Sequence, residues 1–176
     1  MISMRFLDWL QLVTLLFVAL ALVPAGAHLF ELPNKFALPP DQYMTVQGIY
    51  RGWALFGIVI IGALVLTLAH TLMVRSNNAA ALLSALSAFC FVVSLTVFFA
   101  FTYPMNVATS NWTVTPADFE NARQQWEYSH AANAVLTLVA FVAITLSVLA
   151  SRETISRQVA DGWFLGRRTT GDRWSQ

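Results

Sequence analysis

Two short segments carry the side chains best suited to chemistry, His28-x-x-Glu31 and Glu127-x-x-His130. Each pairs an imidazole, which titrates near neutral pH, with a carboxylate three residues away. On a helix, residues three apart share a face, so each motif offers both groups to one partner. The chain has three His and nine acidic residues, so four of its scarcest groups are committed to these motifs. One chemistry is metal binding, because Glu-x-x-His on bundle helices points both side chains inward. Two imidazoles and two carboxylates from His28, Glu31, Glu127 and His130 suit a single Zn, Cu, Fe or Mn ion. A di-iron centre needs two further carboxylates, and beyond Asp41 helices two and three offer none at this level. A metal-free catalytic or ligand pocket uses the same four groups. So does a plain salt-bridge cluster, with Arg51 or Arg123 on Glu31 or Glu127. Near a membrane edge such a cluster is cheap, because its charges reach water.

Membrane helices must position these residues. Of 176 residues, 57% are hydrophobic and 11% charged, and the mean hydropathy is +0.62. Soluble domains carry about 25% charged residues. Four apolar stretches, Phe6–Phe30, Trp53–Val74, Ala79–Phe101 and Ala131–Ala150, each reach the roughly 20 residues that span a bilayer. The expected fold is all-α, a four-helix transmembrane bundle over 1–151 with an Arg-containing tail over 152–176. The net charge of +1 gives no reason to expect a nucleic-acid partner, and the lone Cys90 cannot form an internal disulfide. Ala25-Gly26-Ala27 resembles a signal-peptidase site, but the apolar run before it is long and Asp8 interrupts the basic region, so a retained helix is expected.

Arg5, Arg75, Arg152, Arg157, Arg167, Arg168 and Arg173 fall on one side of a four-span topology, against Lys35, Arg51 and Arg123 on the other. The positive-inside rule then puts both termini in the cytoplasm, in a bacterial inner membrane. Thr115-Pro116 reads as a helix start, with Thr as N-cap and Pro at the first position. Helix four then runs about 35 residues to Ser151, roughly 50 Å, longer than a bilayer core. Pro39-Pro40-Asp41 starts helix two early in the same way, running through Tyr50 into Trp53. Helices two and four thus extend into an outward-facing cap. Tyr50, Trp53, Tyr103, Trp112, Trp126 and Tyr128 read as an interfacial aromatic belt, with Trp9 at the other boundary. His70 reads as a hydrogen-bonded helix residue. Gln158–Leu165 reads either as a segment lying on the inner leaflet or as solvated tail.

Both motifs then lie at one depth near the outer interface. Glu120, Arg123, Glu127, His130 and Ala134 form one stripe on helix four, with Gln47, Tyr50, Arg51 and Asn106 at the same height. The run Tyr103-Pro104-Met105-Asn106, then Asn111-Trp112, then Arg123-Gln124-Gln125-Trp126-Glu127-Tyr128-Ser129-His130 resembles the anthrone oxygenase-like family of small four-helix membrane proteins. That resemblance implies a cofactor-independent monooxygenase acting on a hydrophobic, polycyclic small molecule. His130 would abstract a proton from the substrate, and Asn106 and Trp126 would orient it. The other function classes are a mononuclear metal or ligand binder without turnover, and a small accessory subunit of a larger membrane complex or homo-oligomer, with the polar cluster structural.

Overall fold

The computed structural model describes the backbone of residues 5–171 and side chains of residues 5–152. The described residues are helical with no strand. Helix α1 spans Phe6–Phe36, opened by Asp8 accepting the backbone N–H of Arg5 at 3.0 Å. It carries Pro24 and Pro33 inside, which membrane helices tolerate when neighbours satisfy the freed carbonyls. Helix α2 spans Pro40–Gln47 with Pro at its first position. Single 3₁₀ turns at Gly48–Tyr50 and Trp53–Leu55 lead into α3, Phe56–Met73. Helix α4, Asn78–Val97, is capped by the Asn77 side chain, which accepts from Ala80 N at 3.1 Å. A π-helical turn, Phe98–Thr102, continues it into α5, Tyr103–Ala108. Helix α6 spans Phe119–Gly171.

Four of these helical stretches are long and apolar enough to cross a bilayer: Phe6–Phe36, Trp53–Met73, Asn78–Ala108 and Phe119–Arg152. The chain is an integral membrane four-helix bundle. Each of α1, α3, α4 and α6 packs on two neighbours, closing the ring. Its middle is held by Val18, Ala21, Ala63, Cys90, Phe91, Ala140 and Ile144. Small residues dominate because lipid gives no hydrophobic drive between helices, so close van der Waals approach must do the work. Gly62 shows the tightest approach. A Cβ built there would lie 2.5 Å from the Phe17 ring.

At the end opposite the cap, one hydrogen-bonded cluster ties all four helices. Gln11 Nε2 donates to Ser151 Oγ (2.9 Å) and lies 3.5 Å from His70 Nε2, and His70 Nδ1 meets Ser84 Oγ at 3.0 Å. Ser84 Oγ donates in turn to the Thr67 carbonyl (3.1 Å). The expected structural role of His70 matches this arrangement.

Several boundaries differ from expectation. Helix two is not continuous from Pro40. Gly52 adopts φ +87, a left-handed turn open to glycine, and this breaks α2 from α3. Helix three does not end at Phe101 but runs on through Pro104, which sits in the first turn of α5 where no N–H is needed. Helix four begins at Phe119, and Asp118 rather than Thr115 caps it, accepting from Asn121 N at 3.4 Å. The helix does not stop at Ser151. The leaflet or tail reading of Gln158–Leu165 concerns side chains outside those described.

Candidate functional site

The two motifs meet beneath the cap. His28 follows Pro24 by one turn on α1, and Glu31 and Lys35 continue the same face at three- and four-residue steps. From α6 comes the stripe of Arg123, Glu127, His130 and Ala134, mostly buried, while Glu120 is exposed. The imidazoles of His28 and His130 stack with centroids 4.0 Å apart and 24° between planes. His28 is buried and His130 half-buried. Aromatic rings enclose the pair. Tyr50 lies 4.5 Å and Trp53 5.7 Å from His28, and Trp126 lies 5.1 Å from His28 and 4.2 Å from His130. Nδ1 of His28 is buried without a hydrogen-bond partner.

Beside this pair is an ion pair that the motifs alone do not contain. Lys35 Nζ lies 2.5 Å from Glu127 Oε1, with both side chains buried. The ammonium sits 4.6 Å from the ring centres of both Tyr50 and Trp126 and 5.3 Å from that of Tyr43, a cation–π box. Tyr43 Oη donates to Glu127 Oε1 at 2.8 Å and accepts from Gln47 Nε2 at 2.5 Å. Tyr50 Oη donates to Glu31. Burial, then the Glu127 charge beside it, pushes the Tyr43 phenol well above its ordinary range. Burial and the bond to Glu31 push Tyr50 the same way. Both phenols are thus donors under all ordinary conditions.

Asn106 and Trp126 also meet. The indole Nε1 of Trp126 donates to Asn106 Oδ1 at 2.7 Å. The main chain of Asn106 anchors the following turn, accepting from Asn111 N at 2.7 Å. That turn holds Ser110, Asn111 and Trp112 at φ 48, 56 and 61. Left-handed backbone costs about 1–2 kcal/mol per non-glycine residue, so this segment is strained. Bonds from Trp112 N to Thr109 Oγ1 (2.9 Å) and from Thr113 and Val114 N to Thr109 O (3.0 Å each) hold it. The outcome is that Trp112 is buried against Trp126 at 5.6 Å and Tyr43 at 5.2 Å.

Several sequence assignments change. Trp112 and Trp126 are not belt residues. They form the cap core with Tyr43, Phe119 and Ala122, whereas Tyr103, Tyr128 and Trp9 are exposed. Neither Arg51 nor Arg123 pairs with the motif carboxylates. Arg51 is exposed, and Arg123 binds Glu120 (2.6 Å) and the Leu38 carbonyl (3.0 Å). Asp41 is exposed. His28, Glu31, Glu127 and His130 all border one site, yet their carboxylates engage Tyr50, Lys35 and Tyr43. Among the described residues no group of three or more His, Cys, Asp or Glu is arranged to hold a metal ion. Lys35 and Tyr43 are the missed residues. The signal for Lys35 was present: it is the chain's single lysine and lies four residues beyond Glu31 on the same face.

The chain has no significant match to any protein-family model, curated protein or solved structure.

Proposed function

We propose that this membrane protein is a cofactor-independent, oxygenase-like enzyme that removes a proton from an aromatic carbon acid at the His28–His130 pair. The observation that carries the reading is the chain Asn106–Trp126–His130. The indole is fixed by Asn106 at 2.7 Å and lies 4.2 Å from the His130 ring. The resemblance gives those three residues substrate-orienting and base roles. The rings of Tyr50, Trp53 and Trp126 around the imidazole pair are of the kind that contact flat, apolar ligands. A neutral imidazole nitrogen can accept a proton from carbon, which is the base role. Proton loss leaves a carbanion delocalised over the rings. Oxygen takes up its electrons and forms a carbon–oxygen bond, giving a hydroperoxide. Loss of water from that hydroperoxide leaves a carbonyl, so one methylene and one O₂ yield one ketone and one water.

Oxygen uptake by the purified protein with an anthrone tests this. Wild type should consume oxygen in proportion to ketone formed, and His130→Ala should lose about 10²–10⁴-fold, the usual contribution of a general base. Unchanged turnover in the variant would remove His130 from the base role.

A further inference from the structure

We propose that the groove between the π-helical turn and the start of α6 binds one diacyl phospholipid of the cap-side leaflet. An acyl chain lies along its apolar end, and the ester carbonyls accept hydrogen bonds from the amides at its cap end.

The groove opens on the protein surface and has a volume of about 420 Å³, within the roughly 300–1,000 Å³ of small-molecule sites. Val97 and Phe101 wall it on one side, and Ala132 lies at its membrane end on α6. Asn121, Gln124 and Gln125 line the cap end. Polarity therefore changes along its length. π-Helical turns recur at functional sites, and Phe101 belongs to the one at Phe98–Thr102. Its carbonyl accepts from Gln125 Nε2 at 3.0 Å, which ties the two walls together. The Gln125 amide has a second N–H beyond that bond, and Gln124 is exposed beside it.

Depth and continuity identify the occupant. From Asn121 to Ala132 the helix rises about 16 Å. The headgroup layer on each side of a bilayer is only about 5–8 Å deep, so a groove of that length reaches from headgroups into hydrocarbon. Beyond Ala132 the same stripe of α6 continues as Val135, Val139, Val142 and Leu146, all exposed. These residues lie on a membrane span, so the groove is the cap-side end of a surface already covered by acyl chains. Tyr128, between the two ends, is exposed and rests on Phe36 at 5.4 Å, the interfacial placement typical of membrane tyrosines.

Charge narrows the contact further. Among the described residues no charged side chain lines the groove. A phosphate is held best by Arg or Lys, so the headgroup is not what this rim recognises. Neutral amide N–H groups match the ester carbonyls, which in a phospholipid sit between the headgroup and the chains.

Native mass spectrometry of the full-length protein in mild detergent, titrated with dioleoyl phosphatidylcholine, tests the proposal. Wild type should retain one lipid per chain. Ala132 is exposed, so Ala132→Phe fills the groove without entering the bundle, and it should need at least about tenfold more lipid for the same retention. The dialkyl ether analogue lacks both carbonyl oxygens and should bind wild type about tenfold more weakly, the effect of two ordinary hydrogen bonds. Gln124→Leu, a surface change, should shrink that ester preference. Val142→Phe, on the same stripe beyond the groove, should retain lipid as wild type does. Unchanged retention in Ala132→Phe, an equal loss in Val142→Phe, or equal binding of ester and ether lipids would each overturn the proposal. So would a dimer of this chain that carries no lipid.

Discussion

Lys35 and Glu127 join the last turn of α1 to the cap end of α6 through a buried contact of 2.5 Å. Removing one partner strands the other charge, which costs about 3–5 kcal/mol, whereas replacing both by apolar groups is often neutral or better. Lys35→Met and Glu127→Leu should therefore each lower unfolding stability strongly, and the double variant should recover most of the loss. A double-mutant cycle from denaturant unfolding in micelles checks this. Additive losses would mean that the two charges are not coupled.

The hydrogen bond from Trp126 Nε1 to Asn106 Oδ1 should contribute about 0.5–1.5 kcal/mol. Asn106→Leu leaves the buried indole donor unpaired, so its cost should exceed that figure, while Trp126→Phe combined with Asn106→Leu should cost less than the sum of the two. The indole also packs on His130, so the wild-type Trp fluorescence should respond to His130→Ala.

Gly62 faces Phe17 so closely that any Cβ intrudes on the ring. Gly62→Ala should cost about 1–3 kcal/mol, as overpacking typically does, and Phe17→Leu should relieve most of it. Thermal unfolding of the two single variants and the double variant decides the matter. A neutral Gly62→Ala would show that α1 and α3 separate more easily than their contact implies.

Alkaline pH should loosen the cap. The folded state raises the ionisation of Tyr43 and Tyr50 above the ordinary value of 10.0. Their neutral forms thus add stability that is complete below about pH 10 and declines as pH climbs from there toward the folded values. Melting temperature should fall above pH 10 in wild type, and more shallowly in Tyr43→Phe/Tyr50→Phe. Identical slopes would show that neither phenol is linked to folding.

The four spanning helices were legible because length and apolarity suffice to read them. Breaks at Gly52 and continuity through Pro104 were not, because each depends on backbone geometry that tertiary packing selects. The motif pair was legible from helical spacing, and its meeting place from topology. Lys35 was counted only as a charge on the outer side, because the apolar stretch ends at Phe30, yet α1 runs to Phe36 and carries it onto the His28 face. Trp112 escaped because only the unusual left-handed run after Thr109 turns it inward. Tyr43 escaped because α2 was read as part of a straight helix, which would not have folded it over Glu127.

Anaerobic exchange of a carbon-bound substrate proton with solvent deuterium tests the central claim most directly, because it isolates proton abstraction from the oxygen step. Wild-type protein should speed deuterium uptake into the methylene of an anthrone well above the buffer rate, and His130→Ala should return it to that rate. Exchange at the buffer rate in wild type, or equal acceleration by His130→Ala, would contradict a proton-abstracting role for the stacked imidazoles.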